Sequence, residues 1–534
     1  MSSLLENVKA SVSGSAADTD VLIAGAGPTG LMLALWLAKS GVRVRIADPK
    51  SGPVKETRAI EVQARTLEFY DQLGIGQEAL ARGEPLGAIN LFVKGHWRGK
   101  VNLGRMGEGL TPHPYLYSLT QDKNEELLVA HLADAGIKVD WQTEVTDFTQ
   151  DEAGVTATLK RPEHEETLRA SYLAGCDGAG SLVRHMLGIS MSGDTYAHRF
   201  YVADVILSGK VRDTDANMEL EDGNFLVFFP LPGAGHHRVI GQLSPQMPDE
   251  VDFETVRPEI ETSGVASVEQ VNWFSTYRIH HRVADTFRAG RAFILGDAGH
   301  VHTPVGGQGM NTGLGDAVNL AWKLAQAVRG QPEALATYEP ERRPFALSLV
   351  NTTDRVFTGI VASSPLARLA RLKLAPIIVA LAGGSTMIRR LLFLTVSQTR
   401  LHYPHSPLSV GRAGKVRGGM RLPWVKFKEG DNFAALRSLS WQMHVYGTPT
   451  PELLTWCGQH ELPLHVFPFN SQAARAGLMQ DAIYLIRPDG YVGLAQLTLE
   501  AAALSAYAQR WGCSANQMMS NQFTLNENGA HLVS

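Results

Sequence analysis

Residues 20–48 constrain this chain more tightly than any other stretch. Residues 20–24 read DVLIA, an apolar run suited to a buried parallel strand, and GAGPTG follows at once before the helical pattern LMLALWLAKSG. A second strand pattern over residues 42–47 ends at Asp48, 18 residues beyond Gly30. In this order of strand, glycine loop, helix and strand, Gly25 permits the tight turn and Gly27 lets the backbone approach a pyrophosphate. Gly30 lets helix and strand pack closely, while Pro28 and Thr29 open a helix whose N-terminus faces the anion. Asp48 stands where such folds hydrogen-bond the adenosine ribose. A lone glycine motif carries little weight, but this one has its flanking strands, its helix and its acid. The expectation is a Rossmann-type dinucleotide site in an α/β fold.

The fingerprint does not choose between NAD and FAD; the rest of the chain does. Residues 291–325 read RAFILGDAGHVHTPVGGQGMNTGLGDAVNLAWKLA. This segment resembles the flavin-binding signature of the single-component aromatic hydroxylases, the para-hydroxybenzoate hydroxylase-like flavin monooxygenases. Supporting matches are CDGAGSLVRHMLGI at 176–189, RAIEVQARTLEFYDQLGI at 58–75, and Gln121 with Glu125 and Leu128 in a Gln-x-x-x-Glu-x-x-Leu pattern. Together with the fingerprint they extend the resemblance from residue 20 to residue 325.

The resemblance implies FAD held non-covalently, with NAD(P)H and O2 as co-substrates. It implies that Asp297 binds the ribitol chain, that Arg58 lies near the flavin and the nicotinamide path, and that Gln121 contacts the middle of the cofactor. Asp177 and Gly178 match a motif linked to both FAD and NADPH, in which Arg184 holds the loop. Pro304, Gly307, Gly309, Met310 and Asn311 belong to the run that would present backbone N–H groups, at a helix N-terminus, to the pyrimidine end of the isoalloxazine. Reduced flavin carries negative charge there, and a helix N-terminus stabilises it. There is no second GxGxxG, so NAD(P)H is expected to visit transiently.

The implied reaction is hydroxylation of a small aromatic substrate, phenolic or polycyclic and polyketide-like, through a flavin hydroperoxide, with water as the other product. Baeyer–Villiger oxygenation on the same fold and a non-catalytic FAD-binding protein are the alternatives. A phenol needs a base tuned near working pH, and no motif supplies one. The phenol hydroxylase branch carries an aspartate where this chain has Ile60, so that base does not transfer. His300 and His302, beside the flavin signature, are candidate proton carriers; the plainer reading makes both structural.

The expected layout is a leader at 1–19, an FAD-binding domain at 20–190 with 285–345, and a β-sheet substrate domain at 191–284 with a contribution from about 86–118. A helical segment at 346–400 follows; then LHYPHSPLS from residue 401 and AIYLIRPDGYVGLA at 482–495 resemble the C-terminal thioredoxin-like domain of the phenol hydroxylase and polyketide hydroxylase branches, which implies such a domain at 401–534. That last domain has no CxxC, which points to a structural part or a homodimer contact rather than a redox relay. A net charge of -4 over 534 residues argues against nucleic acid as a partner. Cys176, Cys457 and Cys513 show no disulfide or metal-ligand spacing, which suits small core residues, no metal and a cytoplasmic location. The apolar run at 374–388 is shorter than the ~20 residues of a spanning helix and contains Pro376, so no integral membrane segment is expected.

Overall fold

The computed structural model describes residues 17–55, 59–221, 225–244, 246–248, 250–262, 264–302, 307–361, 372–373 and 375–513. Arg58, Pro304 and nearly all of the expected leader lie outside them.

The apolar runs of the fingerprint form the middle of a mixed sheet that is parallel from Ala292–Ile294 to Asp140–Trp141, with Arg288–Ala289 antiparallel at its edge. Its strands lie side by side in the order Arg288–Ala289, Ala292–Ile294, Glu165–Gly175, Thr19–Ala24, Val44–Asp48 and Asp140–Trp141. Two further antiparallel strands, Val155–Lys160 and Glu144–Gln150, continue from Glu165–Gly175. The first strand begins at Thr19 and the second spans Val44–Asp48, each displaced by a residue or two from the sequence expectation. Helices Pro28–Lys39 and Gln308–Val328 pack on this sheet, and the core includes Val21, Ile23, Leu31, Trp36, Phe293, Leu314 and Leu320, each fully buried. The near-continuous apolar strands follow from a parallel sheet buried by its crossovers.

A second eight-stranded sheet runs His300–Val301, Ala266–Ala284, Met191–Gly209, His236–Gln242, Phe225–Pro230, Ala216–Leu220, Ala88–Val93 and His96–Asn102. Helix Phe253–Glu261 covers one face, where Tyr201, Val205, Phe228 and Val239 meet Phe253, Val256 and Ile260. Alternation along the strands turns Phe200 the other way, and Phe225 and Tyr277 pack against it with ring centroids 6.3 and 6.1 Å away. His300–Val301, expected within the FAD domain, pairs instead with Ala266–Ala284 and so joins this sheet.

The C-terminal part orders strand Gln442–Tyr446, helix Pro451–Gln459, strand Leu464–Phe467, helix Ser471–Ala476, strands Ile483–Ile486 and Val492–Gln496, and helix Ala501–Trp511. Gln442–Tyr446 and Leu464–Phe467 are parallel, and Ile483–Ile486 runs antiparallel to Gln442–Tyr446 and to Val492–Gln496. Trp322 of the long helix enters this unit's apolar core, edge-on to Trp441 at 5.6 Å. Among the described residues no helix is long and apolar enough to cross a membrane.

Candidate active site

Strand register builds the site. Ala24 pairs with Gly175 and with Ala47, and Gly175 pairs with Ile294. The residues that follow these positions, Gly25, Asp48, Asp177 and Asp297, therefore emerge along one carboxyl edge, where open α/β sheets bind their ligands. Four sequence motifs from three distant parts of the chain become neighbours through backbone pairing alone.

Gly25 has φ +101°, a left-handed conformation that favours glycine, and a Cβ there would collide with the carbonyl of Cys176. A Cβ on Gly30 would strike the carbonyl of Gly25, which fixes how closely the helix can approach its strand. Gly27 differs: a Cβ there would meet nothing within 4 Å. It caps helix Pro28–Lys39, with Pro28 in the first turn, where a missing N–H costs nothing. That leaves an open cradle at the N-terminal turn of this helix. Asp48 is buried, and its carboxylate accepts from the Ala26 and Lys50 N–H groups at 2.7 and 2.8 Å. It ties the glycine loop to the end of its own strand.

The other motifs are anchored in the same way. Gln121 opens helix Gln121–Asp134; its N–H donates to the Ala59 carbonyl and its amide to Glu125 at 2.9 Å. Glu125, fully buried, accepts from the Val54 N–H at 2.9 Å. Asp177 accepts from Ser181 Oγ and the Val183 N–H, shaping the turn into helix Leu182–Met186. Arg184 donates to the carbonyls of Ala298 and Ala179, joining the Asp177 loop to the Asp297 turn. Asp297 is exposed at that turn, and Thr29 packs between Gly296 and Gly313.

Gly307, with φ +61°, caps the long helix Gln308–Val328. Gly309 and Met310 lie in its first turn; a Cβ on Gly309 would lie 3.6 Å from His302 Cε1, and Asn124 Nδ2 contacts Met310 Sδ at 3.5 Å. Asn311 is nearly inaccessible. Its Oδ1 accepts from the Gln63 N–H and Thr66 Oγ1, and its Nδ2 donates to the carbonyls of Glu61 and Gly307. All four hydrogen-bonding positions of that amide are used, so its side chain braces the site rather than facing a ligand.

His300 and His302 stack with ring centroids 6.3 Å apart, yet they differ in surroundings. His300 is buried, with Nε2 2.7 Å from Asp316 Oδ2. Asp316 also accepts from the Gly296 N–H at 3.1 Å and pairs with Arg342 at 2.6 Å. Burial raises its carboxyl, but Arg342 and His300 outweigh that and hold it below the ordinary carboxylate range. This arrangement locks the Gly296–Asp297 turn, which makes His300 a positioning part. His302 stays at the helix mouth.

Sequence reasoning missed Asp316, Lys323, Glu341 and Glu61. The available signal was charge inside an apolar helix: GLGDAVNLAWKLA carries an aspartate and a lysine that burial would force into pairs. A cavity of about 440 Å³ at Asp18, Val42, Arg43 and Ile137 is lined by none of the candidate cofactor-binding residues.

Residues 18–353 match the FAD binding domain family. The chain belongs to that family. This flavoprotein is 36% identical over 419 residues to the 6-methylpretetramide 4-monooxygenase of Streptomyces rimosus, covering 74% of this chain and 72% of that protein. A flavin-dependent monooxygenase of Mycobacteroides abscessus is 30% identical over 492 residues, 89% of this chain and 96% of its own length. Among solved structures, the anhydrotetracycline hydroxylase OxyS of Streptomyces rimosus superposes with a TM-score of 0.74 at 28% identity, over 92% of this chain and 99% of that one. The flavoprotein is an FAD-dependent aromatic monooxygenase, of the class that consumes NAD(P)H and oxygen.

Proposed function

We propose that this monooxygenase hydroxylates a polycyclic, polyketide-like phenol in a pocket between the nucleotide edge and the face of the second sheet bearing Phe200, Phe225 and Tyr277. One observation carries the reading. Residues 292–301 leave the parallel sheet, turn at Gly296–Ala298 beside the cradle, and enter the second sheet at His300–Val301. Cofactor edge and aromatic sheet are thereby joined through a single short segment. The relatives named for pretetramide and anhydrotetracycline chemistry support a fused-ring substrate.

In this reading Gly25, Gly27, Gly30 and the first turn at Pro28 and Thr29 hold the pyrophosphate, Asp48 the adenosine ribose and Asp297 the ribitol. The first turn of Gln308–Val328 faces the pyrimidine end of the flavin. Bound FAD supplies hydride acceptance and oxygen activation; the protein supplies the cradle, the fixed turn at Gly296 and a dry aromatic wall. The domain limits set out from sequence are retained with His300–Val301 moved to the substrate sheet. The order strand, helix, strand, helix, two strands, helix supports a thioredoxin-like C-terminal domain. The reading further places the enzyme in the cytoplasm as a homodimer, with exposed Ile377, Leu381, Met387 and Leu391 as the apolar surface a second copy would cover. Light scattering tests that last point.

The test of function is the visible spectrum of FAD-loaded protein mixed with NADPH, with and without hydroxylated naphthalenes and anthraquinones. Faster bleaching with one ring system is the expected result. Bleaching indifferent to every compound would count against a substrate-gated hydroxylase.

A further inference from the structure

Within the motif at 58–75 stands a carboxylate to which the resemblance gives no role. Glu61 lies on the short strand Glu61–Val62, opposite Ser118 of Tyr117–Ser118. Its backbone is held to the long helix: Asn311 Nδ2 donates to the Glu61 carbonyl at 2.9 Å, and the Gln63 N–H donates to Asn311 Oδ1 at 2.8 Å. The side chain leans over the helix cap, since a Cβ on Gly307 would lie 2.5 Å from Glu61 Oε2 and 3.0 Å from its Cβ. Glu61 is thus placed at the mouth where the flavin's pyrimidine end is expected.

The surrounding acids are committed. Asp48 holds two backbone N–H groups, Glu125 the Val54 N–H and Gln121, and Asp177 Ser181 and Val183. Asp316 holds His300 and Arg342, and Glu68 holds Arg65 and Arg421. No described residue donates a hydrogen bond or an ion pair to the Glu61 carboxylate. Among the described residues, the elements packed around it bring Ser118, Gln308 and Asn311, all neutral, and His302 beyond Gly309. Burial alone pushes its carboxyl up to about 7. The N-terminus of the helix below favours the ionised form, so both states are within reach at neutral pH. Glu61 as a whole residue keeps some exposure.

A phenol that attacks an electrophilic oxygen must shed its hydroxyl proton, and an acceptor tuned near working pH suits that step. We propose that Glu61 is this acceptor. The substrate O–H bond breaks as an Oε–H bond forms on Glu61, and the proton then passes to solvent; no electrons change hands. The inference rests on the hydroxylase reading above.

The test compares FAD-loaded wild type, Glu61→Gln and Glu61→Asp on 1-naphthol and alizarin. Both variants are expected to bind FAD, which reports folding. Hydroxylated product from Glu61→Gln should fall by about 10²–10⁴-fold at neutral pH, with partial recovery in Glu61→Asp and at pH values that ionise the phenol directly. The rise of kcat/KM through neutral pH should vanish in Glu61→Gln. An infrared difference spectrum of wild type against Glu61→Gln, taken without substrate, should show a protonated carboxyl about one pH unit below neutrality that is lost about one unit above it. Turnover by Glu61→Gln within roughly threefold of wild type overturns the proposal, as does a carboxyl already ionised on the acid side. If wild type forms no product from either compound, the hydroxylase reading falls and the proposal with it.

Discussion

Gly25 and Gly27, two residues apart in one loop, should fail differently when given side chains. Gly25→Ala forces a Cβ into the Cys176 carbonyl at a φ of +101°, so a loss of about 1–3 kcal/mol is expected from backbone strain, read as a lowered Tm of the apoprotein. Gly27→Val projects into open space from an extended backbone. The apoprotein should then keep its stability within about 0.5 kcal/mol, while FAD affinity drops by at least ~100-fold, or about 2.7 kcal/mol, in a flavin fluorescence titration. Equal losses of stability and affinity in both variants would contradict the assignment of Gly27 to the pyrophosphate. At this scale the places of the fingerprint glycines and Asp48 at the strand ends were readable, because a strand, a loop and a helix follow one another in sequence. Asn311 was not fully readable. Its partners, Glu61, Gln63 and Thr66, lie some 250 residues earlier in the chain, and only the fold brings them to its amide. Glu61 went unseen for the same reason, because its surroundings come from a helix far along the sequence.

Among the described residues, two buried charge clusters tie the C-terminal unit to the rest. Glu341 accepts from Arg487 at 2.7 and 2.9 Å, from Lys323 at 2.8 Å and from Asn319 at 2.6 Å. Burial raises its carboxyl, but Arg487 and Lys323 prevail and hold it well below the usual carboxylate range. Arg487→Met removes the C-terminal partner and leaves a buried carboxylate short of charge. A cost of about 3–5 kcal/mol is expected, measured by urea unfolding. Glu68 forms the second clasp, taking Arg421 at 2.8 Å, Arg65 at 2.7 Å and Thr111 at 2.6 Å. Burial raises Glu68 as well, yet Arg421 and Arg65 bring it from 4.5 down to about 2. The unfolded chain therefore binds more protons than the folded one between those values. The stabilisation is complete above pH 4.5 and is lost as pH falls toward 2, by roughly 3 kcal/mol in all. Glu68→Gln should flatten this part of the acid-unfolding profile; an unchanged profile would contradict the clasp. The apolar stretch DAVNLAWKLAQAV was legible as helical, and it forms the later part of Gln308–Val328. Its Lys323, and Asp316 at its start, were not legible as clasps, because charge pairing across distant segments leaves no periodic trace in the sequence.

The described residues build four sheets, and the C-terminal unit is held to the rest by Arg421, Arg487 and the contact of Trp322 with Trp441. A chain ending near residue 400 would leave Glu68 and Glu341 without these arginines and expose the apolar ring of Trp322. It is expected to fail to retain FAD, as a spectrum of the purified fragment would show. A stable yellow fragment would mean that the C-terminal unit is separable. The parallel strands of the first sheet and several strands of the second were legible from their apolar runs. The way residues 292–301 pass from one sheet to the other was not, because a two-strand-residue segment such as His300–Val301 gives no pattern to read. The central claim is that FAD in this chain transfers one atom of molecular oxygen to an aromatic ring. The most direct measurement is mass spectrometry of the product formed by FAD-loaded enzyme with NADPH, a hydroxylated polycyclic aromatic and isotopically heavy oxygen gas. The account predicts a product carrying a single heavy oxygen atom. NADPH consumption that yields only hydrogen peroxide across the panel, or a product whose new oxygen comes from water, would contradict it.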